Sequence, residues 1–114
     1  LEQTTQEESS ESIRERVVMA HKRQRERYEK EGFFYNSQIP AKKIATFCAL
    51  KKDEKRHMQQ IYETLNLSVR SYHKILKTAR TIADIEGSEE IRMEHLHEAI
   101  CYRSIDSNFW ERRR

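Results

Sequence analysis

The chain has 114 residues, of which 36% are hydrophobic and 36% charged, and 22 Lys and Arg against 19 Asp and Glu leave a formal charge of only +3. That length predicts one small domain, and the near balance of charge argues against disorder driven by self-repulsion. Two Gly and one Pro are too few for the turns of an all-β sandwich or barrel; no apolar run is long enough to span a membrane; and no GxxxxGK[ST] or GxGxxG loop is present to cradle phosphate.

Residues 1–11 are polar, with Glu2, Glu7, Glu8 and Glu11 and no basic residue, and are read as a disordered lead-in rather than a signal peptide. A start at Leu1 instead of Met is read as the mark of an excised piece or a processed terminus. Ser12-Ile13-Arg14-Glu15 has the form of a capping box that opens a helix. Ile13, Val17, Ala20, Gln24 and Tyr28 follow on one face of it, and Gly32 is placed to close it in the left-handed conformation. Residues 33–39 are aromatic and polar without caps, and read as an ordered linker, either an edge strand or a loop packed on the bundle. Pro40 suits a first helical position, and a short helix with Ile44, Phe47 and Cys48 inward follows.

Asp53 is a candidate cap for the next helix, whose stripe is Met58, Ile61, Tyr62 and Leu65. Asn66-Leu67 ends it and Ser68 caps another at once. That helix, 69–86, has the clearest pattern: Val69, Tyr72, Ile75, Leu76, Ala79, Ile82 and Ala83 recur at the helical period, and Gly87 stops it. A connector with Ile91 inward leads to a last helix over 93–103, which buries Leu96, Ala99 and Ile100. Short amphipathic helices hold only through packing. The expectation is therefore all-α, a small bundle of about five helices over 12–106, with 107–114 as a mobile basic tail.

Cys48 and Cys101 stand alone, outside any CxxC pair, which points to a reduced, intracellular setting. His95 and His97 are two apart and diverge on a helix, so the spacing supports no metal site. No motif supports nucleophilic catalysis. Arg70, Lys74 and Lys77 fall within about 60° of one another on the face opposite the apolar stripe. For Lys74 and Lys77 the plain reading is a solvated face; the other is an accessory contact to phosphate or nucleic acid. Arg70 differs, because it falls in the first turn, where the helix dipole disfavours a cation by about 0.3–1 kcal/mol. His73 and Lys74 follow it, so no nearby acidic residue offsets that cost, and an anionic partner outside the helix is implied. The basic segments Arg14–Arg27, Lys42–Arg56 and Arg112–Arg114 leave open an autonomous nucleic-acid-binding module, and a protein-interaction bundle is a third reading.

The run from Leu67 to Gly87, with Ser88-Glu89-Glu90-Ile91 and Glu94 to Ser104, resembles the C-terminal part of magnesium-chelatase-like AAA+ ATPases of the ComM/YifB type. Glu8-Ser9-Ser10, Ile13 to Val17, Gln24 and the Asn36-Ser37-Gln38 element extend the likeness from about residue 8 to 106. Pro40 stands where that family has a polar cap, Lys74 stands where it has Arg, and the pattern is lost beyond Asp106. The resemblance implies a helical lid of the AAA+ type that follows a nucleotide-binding core. The parent is then a bacterial, cytoplasmic, homohexameric ATPase using ATP with Mg2+, and DNA branch migration is its associated activity. Partners are the AAA+ core of the same chain, neighbouring subunits and DNA, with no membrane. Arg70 matches the sensor-2 arginine, which contacts the γ-phosphate in the assembled parent. This chain, lacking Walker motifs, is not expected to be an enzyme by itself.

Overall fold

The computed structural model describes residues 9–113, and side chains as far as Arg103. Five α-helices follow one another: α1 (Ser10–Arg27), α2 (Ile44–Phe47), α3 (Lys52–Thr64), α4 (Val69–Glu86) and α5 (Met93–Arg113). Two 3-10 turns, Asn36–Gln38 and Ala41–Lys43, lie between α1 and α2. There is no strand among the described residues, as the scarcity of Gly and Pro predicts. No described helix is long and apolar enough to cross a membrane.

The central element is α4, which packs against α1, α5, α2 and the first 3-10 turn. Its bounds are those read from sequence. Ser68 Oγ accepts the Ser71 N–H at 3.1 Å, and Gly87 ends the helix at φ 79°. Ile75, Leu76, Ala79, Ile82 and Ala83 are buried as expected, and Tyr72 is half-buried. Val69 instead is exposed, because it borders an open surface groove rather than the core. Met58, Leu67, Ile91, Leu96 and Ala99 complete the core around it.

Other boundaries move, each for a tertiary or a local reason. The cap of α1 is Ser9, whose Oγ accepts the Ser12 N–H at 3.0 Å, so no capping box forms at Ser12. Ser9 offers the same acceptor three residues earlier, and starting there adds backbone bonds such as Ile13 N–H to Ser9 carbonyl. Residues 10 and 11 of the expected lead-in are thus helical, and 1–8 lie outside the described residues. Gly32 does not close α1. The helix ends at Arg27, and Gly87 is the glycine with positive φ among the described residues. Tyr28 is drawn into the core beside Phe33 and Phe47, with ring centroids at 4.7 and 5.0 Å, and this turns the chain away early. The bundle covers only the C-terminal half of α1, so Ala20, Gln24 and Tyr28 are buried while Ile13 and Val17 are exposed.

The linker 33–39 is a packed loop, held by Gln38, whose Oε1 accepts the Phe34 and Tyr35 N–H groups at 2.9 and 3.1 Å. Pro40 sits one residue before the second 3-10 turn, at its cap rather than its first helical position. Asp53 does not cap α3. Lys51 holds the cap position without a side-chain bond, and Asp53 and Glu54 lie in the first turn, where carboxylates complement the dipole. Leu65 is exposed; Leu67 takes its place in the core after Asn66 turns the chain at φ 52°. The last helix runs well past residue 103, to Arg113.

Candidate functional site

Arg70 lies in the first turn of α4, which contains no acidic residue. Its side chain makes no hydrogen bond or ion pair among the described residues. It borders an open groove of about 660 Å³ that also presents His73, Lys74 and Lys77, with Ser37 and Ala41 on the opposite wall. The structure therefore brings all three basic residues singled out from sequence into one groove, and among the described residues no acidic side chain lines it. Lys77 is not merely solvated: its Nζ donates to the Ser37 carbonyl at 3.3 Å and ties α4 to the first 3-10 turn. Thr78 and Thr81 form the base of the groove.

Beneath that base is a polar network that sequence reasoning missed. Asp84 is fully buried. It accepts a bidentate pair of bonds from Arg27, at 3.0 and 2.7 Å, one from Asn36 Nδ2 at 2.9 Å, and faces Arg80 Nη2 at 3.1 Å. Asn36 is satisfied throughout. Its Nδ2 also donates to Thr81 Oγ1 at 3.1 Å, its N–H donates to Gln24 Oε1 at 2.9 Å, and its Oδ1 accepts from the Tyr28 hydroxyl. Arg80 donates to the carbonyls of Ser88 and Glu89 at 2.8 and 2.9 Å. Burial opposes the charge of Arg27, but the hydrogen bonds and charge of Asp84 outweigh it and raise its pKa. For Arg80 burial prevails over Asp84 and the pKa is lowered. Burial likewise pushes up the Tyr28 hydroxyl. The network ties α1, the first 3-10 turn and α4 together, and so sets the two walls of the groove. Its sequence signal was present: Arg80 and Asp84, four apart, interrupt an otherwise apolar face.

His95 is buried too. Its Nδ1 accepts the Arg92 N–H at 2.8 Å, so the other nitrogen carries the proton and donates to Glu86 at 2.9 Å. It is a structural link between the start of α5 and the end of α4. Cys48 is buried and Cys101 exposed, and both are free thiols.

Fold and site together define a small helical domain that presents a cationic groove at the start of its central helix. The family model described as magnesium chelatase, subunit ChlI C-terminal, matches residues 7–103, and the chain belongs to that family. It is 40% identical over 99 residues to the uncharacterized protein YifB of Salmonella typhimurium, a match covering 87% of this chain and 19% of that protein. It is 39% identical over 98 residues to competence protein ComM of Haemophilus influenzae, covering 86% and 18%. YifB of Escherichia coli is similar at 38% over 99 residues, covering 87% and 19%. The chain is thus a magnesium-chelatase-like C-terminal domain of the ComM/YifB kind, and spans about one-fifth of the length of these curated relatives.

Proposed function

We propose that this domain is the helical lid of an AAA+ ATPase, and that Arg70 is its sensor-2 arginine, contacting the γ-phosphate of ATP in the assembled parent. The observation that carries the reading is an arginine in the first turn of α4 that has no partner among the described residues, beside a groove that no described acidic side chain lines. A guanidinium is suited to the role, since it stays charged and offers donors in a planar fork. Lys74 and His73 add donors along the same wall, whereas Lys77 is engaged with Ser37. The groove residues fit a polyphosphate. Among the described residues they include no carboxylate, so Mg2+ is assigned to other residues of the parent, where it would neutralise phosphate charge. Engagement of Arg70 by phosphate, and its release after hydrolysis, would move the lid relative to the core.

In this proposal the parent is a cytoplasmic homohexamer. DNA is its substrate: one similar protein is named a competence protein, and the resemblance of residues 67–104 associates this kind of ATPase with branch migration. The test is Arg70→Ala in the full-length parent. Turnover is expected to fall at least about tenfold, equivalent to about 1.4 kcal/mol of transition-state stabilisation, while the domain keeps its fold because Arg70 makes no hydrogen bond or ion pair among the described residues. Unchanged ATPase activity would overturn the assignment.

A further inference from the structure

Helices α3 and α5 touch only sparsely. Where they meet, His57 of α3 and His97 of α5 bring their Nε2 atoms to 3.1 Å, with ring centroids 4.9 Å apart and ring planes at 69°. His57 is half-buried and His97 exposed, so the paired nitrogens lie at a wall open to water. With both rings neutral the contact is an N–H···N hydrogen bond. One ring carries its proton on Nε2, and the other carries it on Nδ1 and accepts.

The same separation suits a different occupant. Two imidazole nitrogens on a tetrahedral Zn2+, each at 2.0–2.1 Å, stand about 3.3 Å apart. The observed pair is therefore within about 0.2 Å of the spacing a single cation needs, and the exposed His97 ring lies where it is free to turn toward a shared ion. The proton balance also closes. The donor ring moves its proton from Nε2 to Nδ1, both Nε2 lone pairs become free, and no proton need leave the pair. Imidazole is a borderline ligand that favours zinc, copper and nickel over magnesium or calcium.

We propose that His57 and His97 form a surface site for a borderline divalent cation, which fastens α3 to α5. Among the described residues no third His, Cys, Asp or Glu joins them, so water completes the coordination. The site shares no residue with the Arg70 groove, and the proposal is independent of the ATPase reading.

The experiment is calorimetric titration of the 114-residue chain with ZnCl2 in a non-coordinating buffer, with circular dichroism to confirm that each variant is folded. One saturable site is expected. His57→Gln and His97→Gln should each weaken it at least tenfold, and Zn2+ should raise the melting temperature of the wild type but of neither variant. The double variant His21→Gln/His73→Gln and the variant Cys101→Ser should bind within twofold of the wild type. Absence of saturable binding into the millimolar range would overturn the proposal. So would retention of the site in His57→Gln, or its loss in the His21/His73 or Cys101 variants. His97 is exposed, so its variant tests the site without disturbing packing, and the melting temperature of metal-free His57→Gln reports on that half-buried position.

Discussion

Replacing Asp84 with Asn tests whether the buried network holds the bundle together. The carboxylate is fully buried and takes four contacts, two from Arg27, one from Asn36 and one from Arg80. An amide of nearly the same shape keeps one acceptor oxygen, but it removes the charge and presents its NH2 to guanidinium donors. Breaking one side of a buried ion pair costs about 3–5 kcal/mol. Two features place the cost at the lower end of that range. The Arg27 side chain is 22% exposed and regains some hydration, and Arg80, at 6%, keeps its bonds to the Ser88 and Glu89 carbonyls. The expected loss is therefore about 3 kcal/mol, equivalent to a fall in melting temperature of more than about 10 °C for a domain of this size. Urea unfolding followed by the helical circular dichroism signal measures it, with the slope against denaturant unchanged. Arg27→Met alone should cost less, since it leaves Asp84 still facing Arg80. In the double variant the two losses should fall short of additivity by about 1 kcal/mol or more. A loss below 1 kcal/mol for Asp84→Asn, or strict additivity with Arg27→Met, would refute the view that this pair fastens α1 to α4.

Gly87→Ala should destabilise the domain by about 1–2 kcal/mol, measured by the same unfolding assay. Its φ of 79° is strained for an L side chain, and a Cβ there would stand 3.3 Å from Arg23 Nη2, on the guanidinium whose Nη1 donates to the Asp84 carbonyl. With Ellman's reagent at neutral pH the native chain should show one reactive thiol, Cys101, and a second only in denaturant, because burial pushes Cys48 up to about 11. The folded state thus holds the Cys48 proton more tightly than the unfolded chain does. Its contribution to stability is complete below the ordinary value of 9.0 and is lost as pH rises through about 11, and Cys48→Ala should remove that alkaline slope.

The candidate groove was largely legible before any coordinates, and the network beneath it was not. Arg70, Lys74 and Lys77 lie on one face by helical period alone, and the anomaly of a cation in an uncompensated first turn singles out Arg70. That Lys77 is engaged with Ser37, forty residues away, could not be read from the period. Arg80 and Asp84 were visible as charges on an apolar face. Their partners Arg27 and Asn36 lie 57 and 48 residues from Asp84, and no local spacing links them.

By itself the sequence determined the all-α class, the limits of α4 and membership of the family. These rest on signals confined to a few neighbouring residues: a serine cap, a left-handed glycine, a 3.6-residue period, and a long specific run from Leu67 to Ser104. Tertiary structure decided where α1 ends, which half of it is covered, which leucine near residue 66 enters the core, and which histidines meet. In each case two local solutions are close in energy. Ser9 and Ser12 are both caps, Gly32 and Tyr28 are both stops, and Leu65 and Leu67 are both apolar. The choice between them falls to packing against elements tens of residues away, where burying a side chain such as Leu67 is worth about 1.5–3 kcal/mol and outweighs the local preference.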